Sequence, residues 1–152
     1  MRFLAWHVDY IKCRITERGR SPVAEEYDDP ETVAEEALLL LVSVEKADEA
    51  APEVVAEKAV AEIAAHAANL RVQTLVLHPF ANLFGQLSRP ATAVQVLQRM
   101  EEGLRAGGLA VKRTAFGWLM PWISGPRGIP CHGWRGSSVQ RTQTLGCLDD
   151  VI

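Results

Sequence analysis

The apolar positions of this chain fall into short runs set apart by polar and turn-forming stretches. Phe3, Leu4, Trp6 and Val8 predict a buried strand over residues 3–10, with His7 and Asp9 near its end. Ile11, Cys13 and Ile15 alternate with Lys12, Arg14 and Thr16, the period of two that marks a half-buried strand. Residues 17–30 are polar, carry Gly19, Pro22 and Pro30, and read as a loop. Residues 31–44 are ambiguous. Glu31, Ala34, Glu35, Glu36 and Ala37 suit a helix, whereas the run from Leu38 to Val44 suits a central strand. A strand over about residues 37–45 is the expectation, because the two amphipathic helices that follow need a buried sheet to cover.

Pro52 suits a first helical position and Glu53 the positive end of the helix dipole. Val55, Ala59, Ile63, Ala67 and Leu70 then form one stripe at helical spacing. Residues 72–77 predict a buried strand and residues 78–89 a loop. Pro90 opens a second helix whose Ala93, Leu97, Met100 and Leu104 face the core, and Gly107-Gly108 ends it. Residues 109–114 and 116–123 predict two more strands. Helices alternate with strands only in the middle, and hairpins stand at both ends. This order predicts an α/β protein of the α+β type, a mixed β-sheet with two helices packed on one face.

The chain has 152 residues, enough for one domain with a real core. Residues 1–124 are expected to form that core domain. Residues 125–152 are rich in Gly, Pro and Ser and are expected to form a tail. The longest apolar run, residues 37–42, falls far short of the roughly 20 residues that span a membrane. The first residues reach Asp9 too soon for a signal peptide, so a cytoplasmic protein is expected. Charge is uneven: residues 1–70 carry a net −8 and residues 71–152 a net +5. The basic half fits contact with a short stretch of nucleic acid, and solvated surface charge explains it equally well.

Several chemistries are absent as patterns: a phosphate-binding Gly-rich loop, a nucleophile elbow and a zincin helix. Cys13, Cys131 and Cys147 are too few and too scattered for a disulfide framework, and Cys131-His132 lacks the partners of a zinc site. No metal and no cofactor is expected. Of the histidines, His66 lies beside a helical core stripe and reads as structural. His7 and His78 each fall at the end of a predicted strand, where sites collect in open sheets.

Four segments stand at or just past predicted strand ends: Ala5 to Tyr10, Val42 to Lys46, His78 to Leu83, and Ala115 to Trp118. The first is a hydrophobic strand ending His-x-Asp-Tyr, here His7, Asp9 and Tyr10. Ser-Val-Glu-Lys follows at Ser43 to Lys46, then Pro-Phe-Ala at Pro79 to Ala81 with Leu83. A Pro-initiated helix at Pro90 and Phe-Gly at Phe116-Gly117 complete the series. In this order and over residues 1–124, the set resembles the N-terminal editing domain of archaeal threonyl-tRNA synthetase, which has the D-aminoacyl-tRNA deacylase-like fold.

The resemblance implies an aminoacyl-tRNA hydrolase that removes serine from tRNA charged for threonine. It implies that main-chain groups near Val44, Pro79, Phe80 and Ala81 grip the aminoacyl group, with Phe116 and Gly117 on the opposite wall. His7, Glu45, Lys46 and Met120 are further candidate binding residues, Lys46 for a tRNA phosphate. It also implies a homodimer, a threonyl-tRNA synthetase catalytic domain on the same or a separate chain, and water activated with help from the ribose 2′-hydroxyl. The family pattern commonly has a histidine where this chain has Asn82, and a tyrosine-lysine pair where it has Leu119 and Met120. Its Gly-His-Pro stretch appears only as Gly128-Ile129-Pro130, and its following glutamate has no match. Asn82 can position a group but is no base near neutral pH, and Met120 can only pack. Two other readings stay open: a deacylase that removes D-amino acids from tRNA, and a module that binds charged tRNA without hydrolysing it. Trp118 and Trp122 suit either a base-stacking or a packing role.

Overall fold

The computed structural model describes residues 1–81, 83 and 86–126. The elements run β1 (Arg2–Arg14), β2 (Glu17–Arg18), β3 (Glu31–Ser43), a 3₁₀ turn (Lys46–Ala50), α1 (Pro52–Leu70), β4 (Thr74–Pro79), α2 (Pro90–Ala106), β5 (Ala110–Arg113), β6 (Trp118–Leu119) and β7 (Trp122–Pro126). The main sheet has the order β5-β4-β3-β1-β7. β3, β4 and β5 are parallel, while β1 is antiparallel to both β3 and β7, so the sheet is mixed as expected. β2 and β6 form a separate two-stranded ladder.

Both helices lie on one face. Phe3, Ala5, Leu38, Leu40, Val42, Leu75 and Leu77 meet Ala56, Ala59, Ile63 and Ala67 of α1 and Val96, Leu97, Met100 and Leu104 of α2. The alternation of β3 puts Leu38 and Leu40 on this face, both fully buried. Each such side chain contributes about 2–3 kcal/mol of burial. Gly103 of α2 faces Val60 of α1, where a Cβ would stand 3.0 Å from a valine methyl, so the glycine sets how closely the helices approach. The opposite face buries Leu4, Val8, Ile11, Ala34, Leu39, Leu41 and Val76, with Trp6, Phe80 and Trp122 packed on them.

The strands differ from the sequence expectation in several places, β2 inside the expected 17–30 loop among them. The two strands expected over residues 3–16 are one strand, β1, and β3 begins six residues before the expected start and ends at Ser43. The reason lies at Asp9 and Glu36, which face each other and both drop out of the β1–β3 ladder. Glu36 takes a left-handed φ of 47°, rare for a side chain of this kind. Val8 and Ile11, three residues apart, therefore bury on the same face, as do Ala34 and Ala37. The Glu-rich start that mimics a helix is the polar end of a strand whose ladder is interrupted at Glu36. Beyond this point the hairpin comes within reach of β5, where Lys112 Nζ donates to the Val33 carbonyl at 2.5 Å. Lastly, the single strand expected over residues 116–123 is two, β6 and β7.

Candidate functional site

The parallel pairing of β3 with β4 sets Val42 beside Pro79 at the sheet's C-terminal edge. Beyond it the Phe80 amide donates to the Val42 carbonyl at 2.8 Å. Residues 86–88 return along the other side. The Ser88 amide donates to the Val44 carbonyl at 3.0 Å, the Lys46 amide donates to the Gln86 carbonyl at 2.8 Å, and Glu45 bridges Leu87. Two of the four expected segments, Val42 to Lys46 and His78 to Leu83, thus meet through the main-chain bond between Val42 and Phe80, while Val44 to Lys46 bond to residues 86–88. Proline has no N–H and the Phe80 amide is taken, so these bonds leave the Ala81 amide as the donor of the Pro-Phe-Ala segment.

Glu45 points back into the fold. It pairs with Arg2 Nε at 3.2 Å, and its amide donates to Asp48 Oδ2 at 2.7 Å to cap the 3₁₀ turn. Lys46 is exposed. The start of α2 is tied to the same turn: the Arg89 amide donates to Glu49 Oε1 at 2.6 Å and its guanidinium to Oε2 at 3.1 Å. These bonds hold the Glu49 carboxyl below its ordinary range.

His78 stands opposite Leu41 near the end of β4. Its Nδ1 is 2.9 Å from Thr114 Oγ1, and its ring stacks on Trp122 with centroids 6.3 Å apart. Trp122 stacks in turn on Trp6 at 5.5 Å. Burial alone pushes the His78 imidazole down to about 4, so the ring is neutral near pH 7.

Phe116 and Gly117 are held from behind by the 17–30 loop. Glu25 donates its amide to the Phe116 carbonyl at 3.0 Å and accepts the Phe116 amide on Oε2 at 3.0 Å. The Trp118 indole donates to the Glu25 carbonyl at 2.8 Å. Gly117 has φ +88°, and a Cβ there would stand 2.4 Å from the Val23 carbonyl, so only glycine fits. The Glu25 carboxylate also pairs with Arg113, which pairs with Glu101 at 2.6 Å. Burial pushes the Glu25 carboxyl up, but the bonds from Arg113 and the Phe116 amide outweigh it and leave it below its ordinary value.

Other expected residues lie elsewhere. His7 is in mid-strand, paired with Leu38, not at a strand end as the sequence suggests. It sits four residues along β1 from Phe3, which pairs with Val42, or about 13 Å from the edge. Its charge lowers the His66 imidazole of α1, second to burial. Met120 lines a cavity of about 540 Å³ with Ile15, Tyr27, Val33, Lys112 and Thr114. Of the expected site residues, that cavity includes Met120 alone. Phe116 packs on the helix-side core. Asn82 lies outside the described residues, as do residues 127–152, most of the expected tail. Trp118 packs edge-on against Tyr27, so both tryptophans stack on protein rings. Sequence reasoning missed Glu25, which looks like loop charge, and Thr114, which the β4–β5 register alone brings to His78. Among the described residues no group of three or more His, Cys, Asp or Glu is placed to hold a metal ion. No described helix is long and apolar enough to cross a membrane.

Residues 1–134 match the family described as the archaea-specific editing domain of threonyl-tRNA synthetase. Among similar proteins, a threonine–tRNA ligase of Methanobrevibacter smithii is 37% identical over 146 residues, covering 95% of this chain and 23% of that protein. One of Methanosarcina acetivorans is 39% identical over 132 residues, covering 86% of this chain and 20% of its own length. One of Pyrococcus furiosus is 35% identical over 145 residues, covering 93% and 22%. The chain therefore spans about a fifth to a quarter of the length of the relatives it matches. With a mixed sheet, two helices on one face and the Ser-Val-Glu-Lys and Pro-Phe-Ala segments leaving neighbouring strands at one edge, the chain belongs to the archaeal threonyl-tRNA synthetase editing-domain family.

Proposed function

We propose that this chain hydrolyses serine from mischarged tRNA(Thr), as the proofreading module of a threonyl-tRNA synthetase whose synthesis domain is on the same or a separate chain. Membership of the editing-domain family carries the reading. Serine and threonine differ by one methyl, which yields only about 1–3 kcal/mol of discrimination at a synthesis site, so a second sieve is needed. The joined edge at Val42–Lys46 and Pro79–Ala81 supports a site built of main-chain groups. The Ala81 amide suits a developing oxyanion, because a fixed backbone donor needs no titrating side chain. With Asn82, Leu119 and Met120 at the family's ionisable positions, the ribose 2′-hydroxyl is the group proposed to place the attacking water. Phe116 and Gly117 would form the facing wall and Lys46 would meet a phosphate. Residues 1–124 would be the working domain, followed by a tail from 125 to 152. A homodimer acting in the cytoplasm, where tRNA is charged, completes the reading.

Loss of amino acid from Ser-tRNA(Thr) and Thr-tRNA(Thr), each with and without the terminal 2′-hydroxyl, tests it. Serine is expected to leave at least about tenfold faster than threonine, and the deoxy substrate to be inert. Release of neither above the uncatalysed rate, with saturable tRNA binding, would replace the enzyme with the binding module that Asn82, Leu119 and Met120 also suit. Preference for a D-aminoacyl ester would replace it with the D-amino acid deacylase.

A further inference from the structure

We infer that His78 is a further binding residue of this site, its Nε2 accepting a hydrogen bond from a hydroxyl of the aminoacyl-ribose end of the tRNA. The inference rests on the editing reading above. His78 immediately precedes Pro79-Phe80-Ala81, on the strand that carries this segment to the edge. Two contacts fix its ring: Thr114 Oγ1, 2.9 Å from Nδ1, and the face of Trp122, inclined by 20°.

The Thr114 hydroxyl has one proton and two neighbours. It reaches the Leu77 carbonyl at 3.4 Å and His78 Nδ1 at 2.9 Å. Both bonds form together only when Thr114 donates to Leu77 and Nδ1–H donates to Thr114. Nε2 is then the unprotonated nitrogen, directed away from Thr114. Among the described residues it has no hydrogen-bond partner. The ring stays neutral in the physiological range because it is buried, and no charged side chain contributes to that shift. So weak a base holds a hydroxyl and does not deprotonate it.

The test reads His78 nitrogen shifts by NMR in ¹⁵N-histidine-labelled protein, with a 3′-seryl-amido-adenosine as probe, its amide replacing the labile ester. The His78→Phe variant assigns the signal. The free protein is expected to show the Nδ1–H form, and the probe to move the Nε2 resonance. In kinetics, His78→Phe keeps a ring on Trp122 but has no lone pair. It is expected to raise KM for serine release about tenfold, with kcat changed much less. The fall in wild-type rate with a midpoint at about pH 4 should vanish in this variant. Probe binding that leaves Nε2 unmoved, or a His78→Phe KM equal to wild type, overturns the inference while the editing reading stands. If the wild type binds the probe without cleaving the ester, the NMR result alone decides. If it neither binds the probe nor releases serine, the editing reading fails and this inference fails with it.

Discussion

The two faces of the central sheet are both buried and differently made. The helix side is filled by Leu38, Leu40, Leu75, Leu77 and the alanines of α1. Its shifted titratable groups are few: His7 and His66 interact, and burial raises the Glu62 carboxyl of α1. The other side has no helix. It is packed by Trp6, Trp122 and Phe80, with His78 stacked among them and the β1–β3 hairpin reaching over to Lys112. A helix covers a sheet with repetitive aliphatic contacts and leaves no room for a polar group. Rings and a bent hairpin cover it unevenly, so an imidazole with one satisfied nitrogen can persist there. The helix face should therefore carry stability alone, and the aromatic face both stability and chemistry.

The largest expected effect tests the first half of that contrast. Leu40 is fully buried under the helices. Leu40→Ala should cost about 4 kcal/mol by denaturant unfolding, because the helices cannot collapse into the gap without leaving the strands. Serine release per folded molecule should be unchanged. A large fall in activity at full occupancy of the folded state would mean that the two faces are coupled.

That contrast was half legible in the sequence. The apolar stripes of both helices, Pro52 and Pro90 at their starts and the short apolar run of β4 are all local signals. The meeting of Val42 with Pro79–Phe80 at one edge could be anticipated because both segments stand at predicted strand ends. The interruption of the ladder at Asp9 and Glu36 could not, since two facing polar residues in a strand pair look the same in sequence as a loop or a helix start. His7 was misplaced for that reason: its strand continues to Arg14. The Thr114–His78 contact depends on parallel pairing between strands separated by a helix, and Glu25 on how a Pro- and Gly-containing loop folds back. Neither leaves a periodic trace.

The next effect belongs to the aromatic face. The His78 imidazole lies at about 4 in the folded chain and near 6.5 when unfolded. Between those values the unfolded chain binds a proton that the native state refuses. Stability is thus fully present above about pH 6.5 and falls as pH drops towards 4, by roughly 3 kcal/mol in total. Urea unfolding of wild type and His78→Phe across this range isolates the contribution, because His66, also lowered, is common to both. Parallel curves would mean that His78 is solvated in the folded protein, and the difference between the faces would then be one of shape alone.

The smallest of the three concerns Glu25, which joins the loop to the proposed wall of the site. Its carboxylate takes Arg113 and the Phe116 amide together and is 14% exposed. Glu25→Gln keeps the shape and one acceptor but removes the charge facing Arg113, and should cost about 2 kcal/mol. Because the native carboxyl sits below its ordinary value, the wild-type advantage is present above the unfolded carboxylate range and lost as pH falls through the folded value. If Glu25 only braces the fold, discrimination between serine and threonine by the folded variant will match wild type. If it sets the position of Phe116-Gly117 against the Pro79–Ala81 edge, a looser wall admits the extra methyl. Threonine release should then rise relative to serine release, while Leu40→Ala, with the larger loss of stability, leaves that ratio alone.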